Sequence, residues 1–393
     1  MRTFETTDHN VARELMLSFA ERTGLSSERP AKRYLWTDAF AVCNFLGLAR
    51  TTGQGRYLEL ALRLIGQVHE VLGRHRPDTS GRTAWLSGLG EEAGAAHPTL
   101  GGLRIGKKLP ERRADEPFDD QLEWDRDGQY FHYLTKWMHA LDQTARAARQ
   151  PLFNVWARDL AAIAHRAFSY GAPGRRRMVW KLSVDLSRPL VPSMGQHDAL
   201  DGLITSAQLQ ATATELGGAA GPDLAEQVSD FASMTVTHDL STADPLGLGG
   251  LLTDASRAAQ LVARGALPDG ELIEALLTSA LDGLPHYARQ GDLAQPASRR
   301  LAFRELGLAI GLRALATMQD GFGAGHGWSA SRRTKALLAR LAPHFPLGAS
   351  IESFWLDPDH RQGGTWGDHR DINEVMLATA LLPEGFVMVT PPA

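Results

Sequence analysis

The residues of this chain best suited to chemistry are carboxylates, histidines and aromatic rings, and they gather at the starts of its more apolar helical segments. One segment opens Arg33-Tyr34-Leu35-Trp36-Thr37-Asp38. A second carries Glu123, Trp124, Asp125, Asp127, Tyr130 and His132 within ten residues. A third opens His197-Asp198-Ala199-Leu200-Asp201, and the last contains His369, Asp371 and Glu374. Arg304 belongs to a further such start, and Lys181 and Trp366 come from inserted segments beside them. Carboxyl pairs of this kind cleave glycosidic bonds, one acting as acid and the other as base or nucleophile, with separations of about 5–5.5 Å for retention and about 6.5–9.5 Å for inversion. Sugar rings present apolar CH faces and many hydroxyls, so Trp and Tyr faces with Asp, Glu and His between them suit that ligand.

Asp38 is the sharpest candidate, because it lies within an apolar helix near Trp36 and must be paired or face a cavity. We expect the cavity. Its best partners are Glu123, Asp125 and Asp127, which with His132 are hard to place in a core. Asp198, Asp244 and Asp368 have a second reading as helix caps. His132, His197 and His369 come from separate helices with no close-spaced ligand pair, so acid–base or hydrogen-bonding roles are expected over a metal site. No metal and no cofactor is expected. No nucleotide-binding glycine loop or G-x-S-x-G turn stands in a convincing context.

Helical periodicity must position these groups. Twelve segments carry it: one around Val11–Phe19, then about Lys32–Arg50, Gly55–Gly73, Gly128–Ala148, Leu152–Tyr170, Ala199–Leu216, Pro222–Thr235, Leu246–Arg264, Asp269–Arg289, Ser298–Gln319, Ser329–Leu341 and Asp368–Leu382. Breakers such as Gly53, Gly217-Gly218, Pro245, Pro268 and Gly323 separate them. First members of successive pairs carry a charged face and second members are apolar nearly all round, as outward-facing and buried helices do. The reading is an all-α fold: one domain over 1–393, six helical hairpins closed into an (α/α)6 toroid. Insertions at about 77–127, 171–196 and 344–367 interrupt it, the last two holding short strands at Met178–Leu186 and Ser350–Leu356. All three run from an outer to an inner helix, so they are expected at one mouth of the ring, with Asp38, Asp127, His132, His197 and His369 converging there.

With 43% hydrophobic residues in 393, the chain can bury a large core. A net charge of −4 excludes a general nucleic-acid binder. The runs Arg175-Arg176-Arg177 and Lys107-Lys108 are expected to be solvated loops. Cys43 is a single cysteine in an apolar run and reads as a buried hydrophobe. No signal peptide or membrane span is apparent, so a cytoplasmic protein with a small-molecule substrate is expected. The oligomeric state is not legible.

Six hairpins with Tyr34-Leu-Trp-Thr-Asp-Ala-Phe opening the first inner helix resemble the six-hairpin glycosidase superfamily of (α/α)6 barrels. That group includes unsaturated glucuronyl hydrolases, other glycosidases and the N-acylglucosamine 2-epimerase group. The resemblance implies a carbohydrate-active enzyme. Trp36–Asp38 is similar to the tryptophan-x-aspartate of the glucuronyl hydrolases and implies a glycoside hydrolase. His197 and His369 are the positions that match the paired histidines of the epimerases and imply the alternative, a sugar epimerase. A non-sugar cyclase or a ligand-binding toroid is a third possibility.

Overall fold

A computed structural model describes residues 2–77, 84–172, 174–217, 220–268, 270–323 and 330–389. It is 67% helical with a few short strands. In chain order the helices are α1 (Arg2–Arg22), α2 (Leu35–Thr52), α3 (Gly55–Leu72), α4 (Glu91–Ala96), α5 (Asp120–Asp125), α6 (Phe131–Ala148), α7 (Pro151–Phe168), α8 (Asp198–Glu215) and α9 (Ala225–Val236). They continue with α10 (Pro245–Ala263), α11 (Glu271–Arg289), α12 (Ala302–Gly323), α13 (Arg332–Leu341), α14 (Phe345–Leu356), α15 (Gly364–Asp368), α16 (Arg370–Leu381) and α17 (Glu384–Val387). Each of the twelve periodic segments is a helix. Asp269 and Ser329, the expected first residues of two of them, and the breaker Gly218 lie outside the described residues.

Burial follows the two kinds of helix read from the sequence. Helix α3 buries Tyr57, Ala61, Leu64, Ile65, Val68 and Leu72, a spacing of three or four that marks one face. By contrast α16 is buried without a break from Asn373 to Leu381, and Cys43 is enclosed in α2. Each fully buried Leu, Ile or Val contributes about 1.5–3 kcal/mol.

The chain forms two compact units: Ala20–Leu46 with Gly55–His238, and Met1–Phe19 with Gly47–Gln54 and Asp239–Ala393. In the second, α10 packs on α12 through glycines. A Cβ on Gly249 would overlap the Gly307 carbonyl, and one on Gly311 would meet Gly249. Buried Arg300 joins Glu305 at 2.8 Å, and Trp355 donates its indole N–H to the same carboxylate at 2.8 Å.

Ser350–Leu356, expected as a strand, is instead the C-terminal part of α14. Its Ile, Phe and Trp favour a strand by propensity, but Pro346 presets the first helical turn. Packing then selects the helical period: Gly348, Ile351, Glu352 and Trp355 are buried together.

In the first unit, strands β1 (Gln129–Tyr130), β4 (Lys181–Leu182) and β5 (Pro189–Val191) form a small antiparallel sheet, while β2 (Ser169–Tyr170) pairs with β3 (Arg177–Met178). The alternation over Met178–Leu186 is thus split between two short strands. Gly128 lets β1 close on β4: its φ is +146°, and a Cβ there would lie 2.7 Å from the Leu182 carbonyl. The β1 pairing also delays α6 to Phe131. This sheet ties the residues just before α6 to the segment around 171–196.

Candidate active site

Helix α6 begins where β1 ends, so Tyr130, His132 and Tyr133 fan out from one turn. Tyr130 lies 5.3 Å from the His132 ring and 5.2 Å from those of Tyr133 and Trp180. Trp180, delivered by the β3–β4 segment, stacks over His132 at 6.0 Å and meets half-exposed Trp124 edge-on at 5.2 Å. The hydroxyls of Tyr34 and Tyr133 share a 2.7 Å hydrogen bond, and Lys107 lies 5.5 Å over the Tyr34 ring. Burial pushes the Tyr34 hydroxyl up to about 12 and lowers Lys107. The result is a half-buried aromatic patch with a histidine set in it.

The histidine has a defined state. Trp180 Nε1–H donates to His132 Nδ1 at 3.2 Å. An indole nitrogen only donates, so Nδ1 accepts and the proton of the neutral ring sits on Nε2. Burial lowers the His132 pKa to about 4, in keeping with a neutral ring.

Beside it stands a carboxyl pair on the first turn of α8. Asp198 Oδ1 lies 3.8 Å from His132 Nδ1. Asp198 is 3% exposed, and its Oδ2 makes no hydrogen bond within the protein. Burial first, then the charge of Asp201, raises its pKa to about 8. That shift favours its acid form. Asp201, one turn on, is ion-paired with Lys136 at 2.8 Å. A carboxyl group held toward its acid form next to an ion-paired carboxylate is the division of labour that acid–base catalysis requires. The second reading of Asp198, as a helix cap, does not hold: His197 occupies the N-cap, with no side-chain capping bond.

The other candidates of this unit have partners within the protein or lie nearer its surface. Asp38 Oδ2 accepts the Tyr34 backbone N–H at 2.9 Å, and Oδ1 lies 3.4 Å from buried Arg33. Trp36 is buried in the core, tilted on Phe40 at 4.4 Å. Asp127 is fully buried, bonded to Arg104 at 2.6 Å and to the Gly106 and Gly128 backbone N–H groups. Glu123 is clamped between Arg112 at 3.1 Å and Lys181 at 2.9 Å, while Lys181 also donates to the Glu123 and Arg126 carbonyls. Asp125 is exposed. His197 is half-buried.

The remaining candidates belong to the other unit. His369 is exposed and contacts Phe303 edge-on at 5.6 Å. Arg304 pairs with Asp244, which caps α10 through the Gly247 N–H. Trp366 stacks on Trp355 at 5.5 Å, and Glu374 pairs with Arg370 at 2.7 Å. Both line a cleft of about 360 Å³. Asp371 is half-buried, and Asp368 ends α15 without capping α16, whose N-cap is His369.

Trp180 was not singled out from sequence, Tyr133 and Lys136 were not counted among the site candidates, and Lys107, expected in a solvated loop, is instead half-buried over Tyr34. Lys136 was foreshadowed by its place one helical turn after His132. Trp180 and Lys107 reach the patch through pairings 48 and more residues distant in sequence.

Among the described residues no three His, Cys, Asp or Glu side chains are grouped to hold a metal ion, and no helix is long and apolar enough to cross a membrane. No family model matches the chain, nor does any curated protein or any solved structure.

Proposed function

We propose that the protein is a carbohydrate-active enzyme, a glycoside hydrolase whose acid is Asp198 and whose second carboxyl group is Asp201. The observation that carries the reading is buried Asp198, its Oδ2 without a hydrogen bond, beside ion-paired Asp201 and next to a patch of Tyr and Trp rings; burial holds the Asp198 carboxyl well above the ordinary carboxylate range. Trp124 and Trp180 offer faces for the CH surface of a sugar ring, backed by buried Tyr130, and His132 Nε2–H is a hydrogen-bond donor for a hydroxyl. In the reaction Asp198 gives its proton to the glycosidic oxygen as the C–O bond breaks. Asp201 either activates the water that adds to the anomeric carbon or attacks that carbon itself before hydrolysis.

The fold we propose for it is the six-hairpin (α/α)6 toroid as a single domain, supported by the alternation of one-faced and wholly buried helices. A cytoplasmic setting and a small-molecule sugar substrate bearing a glycosidic bond complete the proposal. Epimerisation through His197 and His369 lacks support of equal weight, since His369 is exposed.

The test is release of reducing ends from a broad oligosaccharide and glycoside library by the wild type, Asp198→Asn and Asp38→Asn proteins. The proposal expects release from at least one substrate, lost by about 10²–10⁴-fold in Asp198→Asn and retained in folded Asp38→Asn. Inversion of a sugar centre without cleavage, abolished by His197→Ala, overturns it.

A further inference from the structure

The arginine run Arg175-Arg176-Arg177 is not simply solvated: it borders a groove of about 610 Å³ in the first unit. That volume suits a small organic ligand. Arg176 is committed, lying 2.7 Å from Asp230 and bonded to Glu226 at 3.2 Å. Asp230, the carboxylate lining the groove, is also held by His165 at 3.0 Å. Arg175 and Arg177 are exposed and make no ion pair among the described residues. The groove therefore carries two uncommitted guanidinium groups and no uncommitted carboxylate.

Its other walls are of a different kind. Met178 and Met234 are buried, and Met194 is half-buried against the same space. Thioether side chains adapt to irregular apolar shapes. Tyr170, opposite Arg177 across the β2–β3 pair, is half exposed and also lines the groove. His238 adds a buried Nδ1 with no hydrogen-bond partner in the protein, and a buried polar atom left unpaired is costly until something bonds it.

We propose that this groove binds a small organic phosphate with an apolar, ring-bearing body. Arg175 and Arg177 hold the phosphate, because guanidinium groups match its oxygens bidentately. Tyr170 stacks on the ring, the methionines contact the apolar part, and His238 Nδ1 meets a ligand oxygen. The groove shares no residue with the aromatic patch or the carboxyl pair, so this inference stands apart from the hydrolase reading.

The experiment titrates phenyl phosphate, phenol and inorganic phosphate into the full-length protein by calorimetry and saturation-transfer NMR. Phenyl phosphate should bind more tightly than either fragment. The double variant Arg175→Ala/Arg177→Ala should weaken it by about tenfold or more with no change in melting temperature, while Arg332→Ala, a surface control, should not. Met234→Gln should weaken phenyl phosphate and leave inorganic phosphate unaffected. Equal affinity for phenol and phenyl phosphate, or an unchanged affinity in the double arginine variant, overturns the proposal. So does loss of binding in Asp198→Asn, which would place the ligand at the carboxyl pair instead.

Discussion

Asp198→Asn should make the protein more stable and less active at once. Asparagine keeps the volume, the acceptor facing the Gly195 backbone N–H and a donor where the acid has its proton, but it cannot ionise. In the native protein the Asp198 carboxyl titrates at about 8, against an ordinary value of 3.8. The raised pKa means the folded state keeps a proton that the unfolded chain releases above its ordinary pKa. Stability therefore falls as pH rises from about 4 to about 8 and levels off beyond. Each pH unit in that window is worth about 1.4 kcal/mol. At pH 7 the penalty is about 4 kcal/mol, an upper bound because water penetration and relaxation reduce it. Urea unfolding of wild type and variant at intervals from pH 4 to 8 measures the difference directly. The variant should match the wild type near pH 4 and exceed it increasingly toward pH 8. A variant less stable at pH 7, or a difference independent of pH, refutes the reasoning, because Asp198 would then be ionised and compensated in the native state.

Asp38→Asn should lower stability by about 3–5 kcal/mol, since it leaves buried Arg33 without its countercharge; thermal unfolding reads this, and an unchanged melting temperature would return Asp38 to the catalytic candidates. Gly249→Ala should destabilise by about 1–3 kcal/mol, because its Cβ meets the Gly307 backbone rather than a flexible side chain; a neutral result means the α10–α12 crossing is looser than described. Trp180→Phe removes the donor to His132 Nδ1 while keeping a ring, so long-range ¹H–¹⁵N spectra should show the His132 tautomers mixing, and an unaltered imidazole pattern contradicts the assigned state.

The helices were legible because periodic burial is local: the spacing Tyr57, Ala61, Leu64, Val68 writes the face of α3 into the sequence. Ser350–Leu356 misled because its β-branched and aromatic content is also local, whereas the contacts that make it helical come from Glu305 and Arg300, about 50 residues earlier. The same limit shaped the site. Asp198 and Asp201 were visible one turn apart on a helix, and the aromatic residues around His132 stood together. What spacing could not show is which carboxylates are already taken. Glu123 is neutralised by Lys181, 58 residues away, and Asp127 by Arg104. Even Asp38, with Arg33 five residues before it, was read toward a cavity because its apolar neighbours say only that a charge there needs company.

The central claim, a carboxyl group kept protonated beside an ion-paired one, is tested most directly by ¹³C NMR titration of the aspartate carboxyls, with Asp198 assigned by comparison with Asp198→Asn. The account predicts a carboxyl resonance still in its acid form at pH 7, titrating near 8 and absent from the variant. An Asp198 resonance that titrates below pH 5 would contradict it.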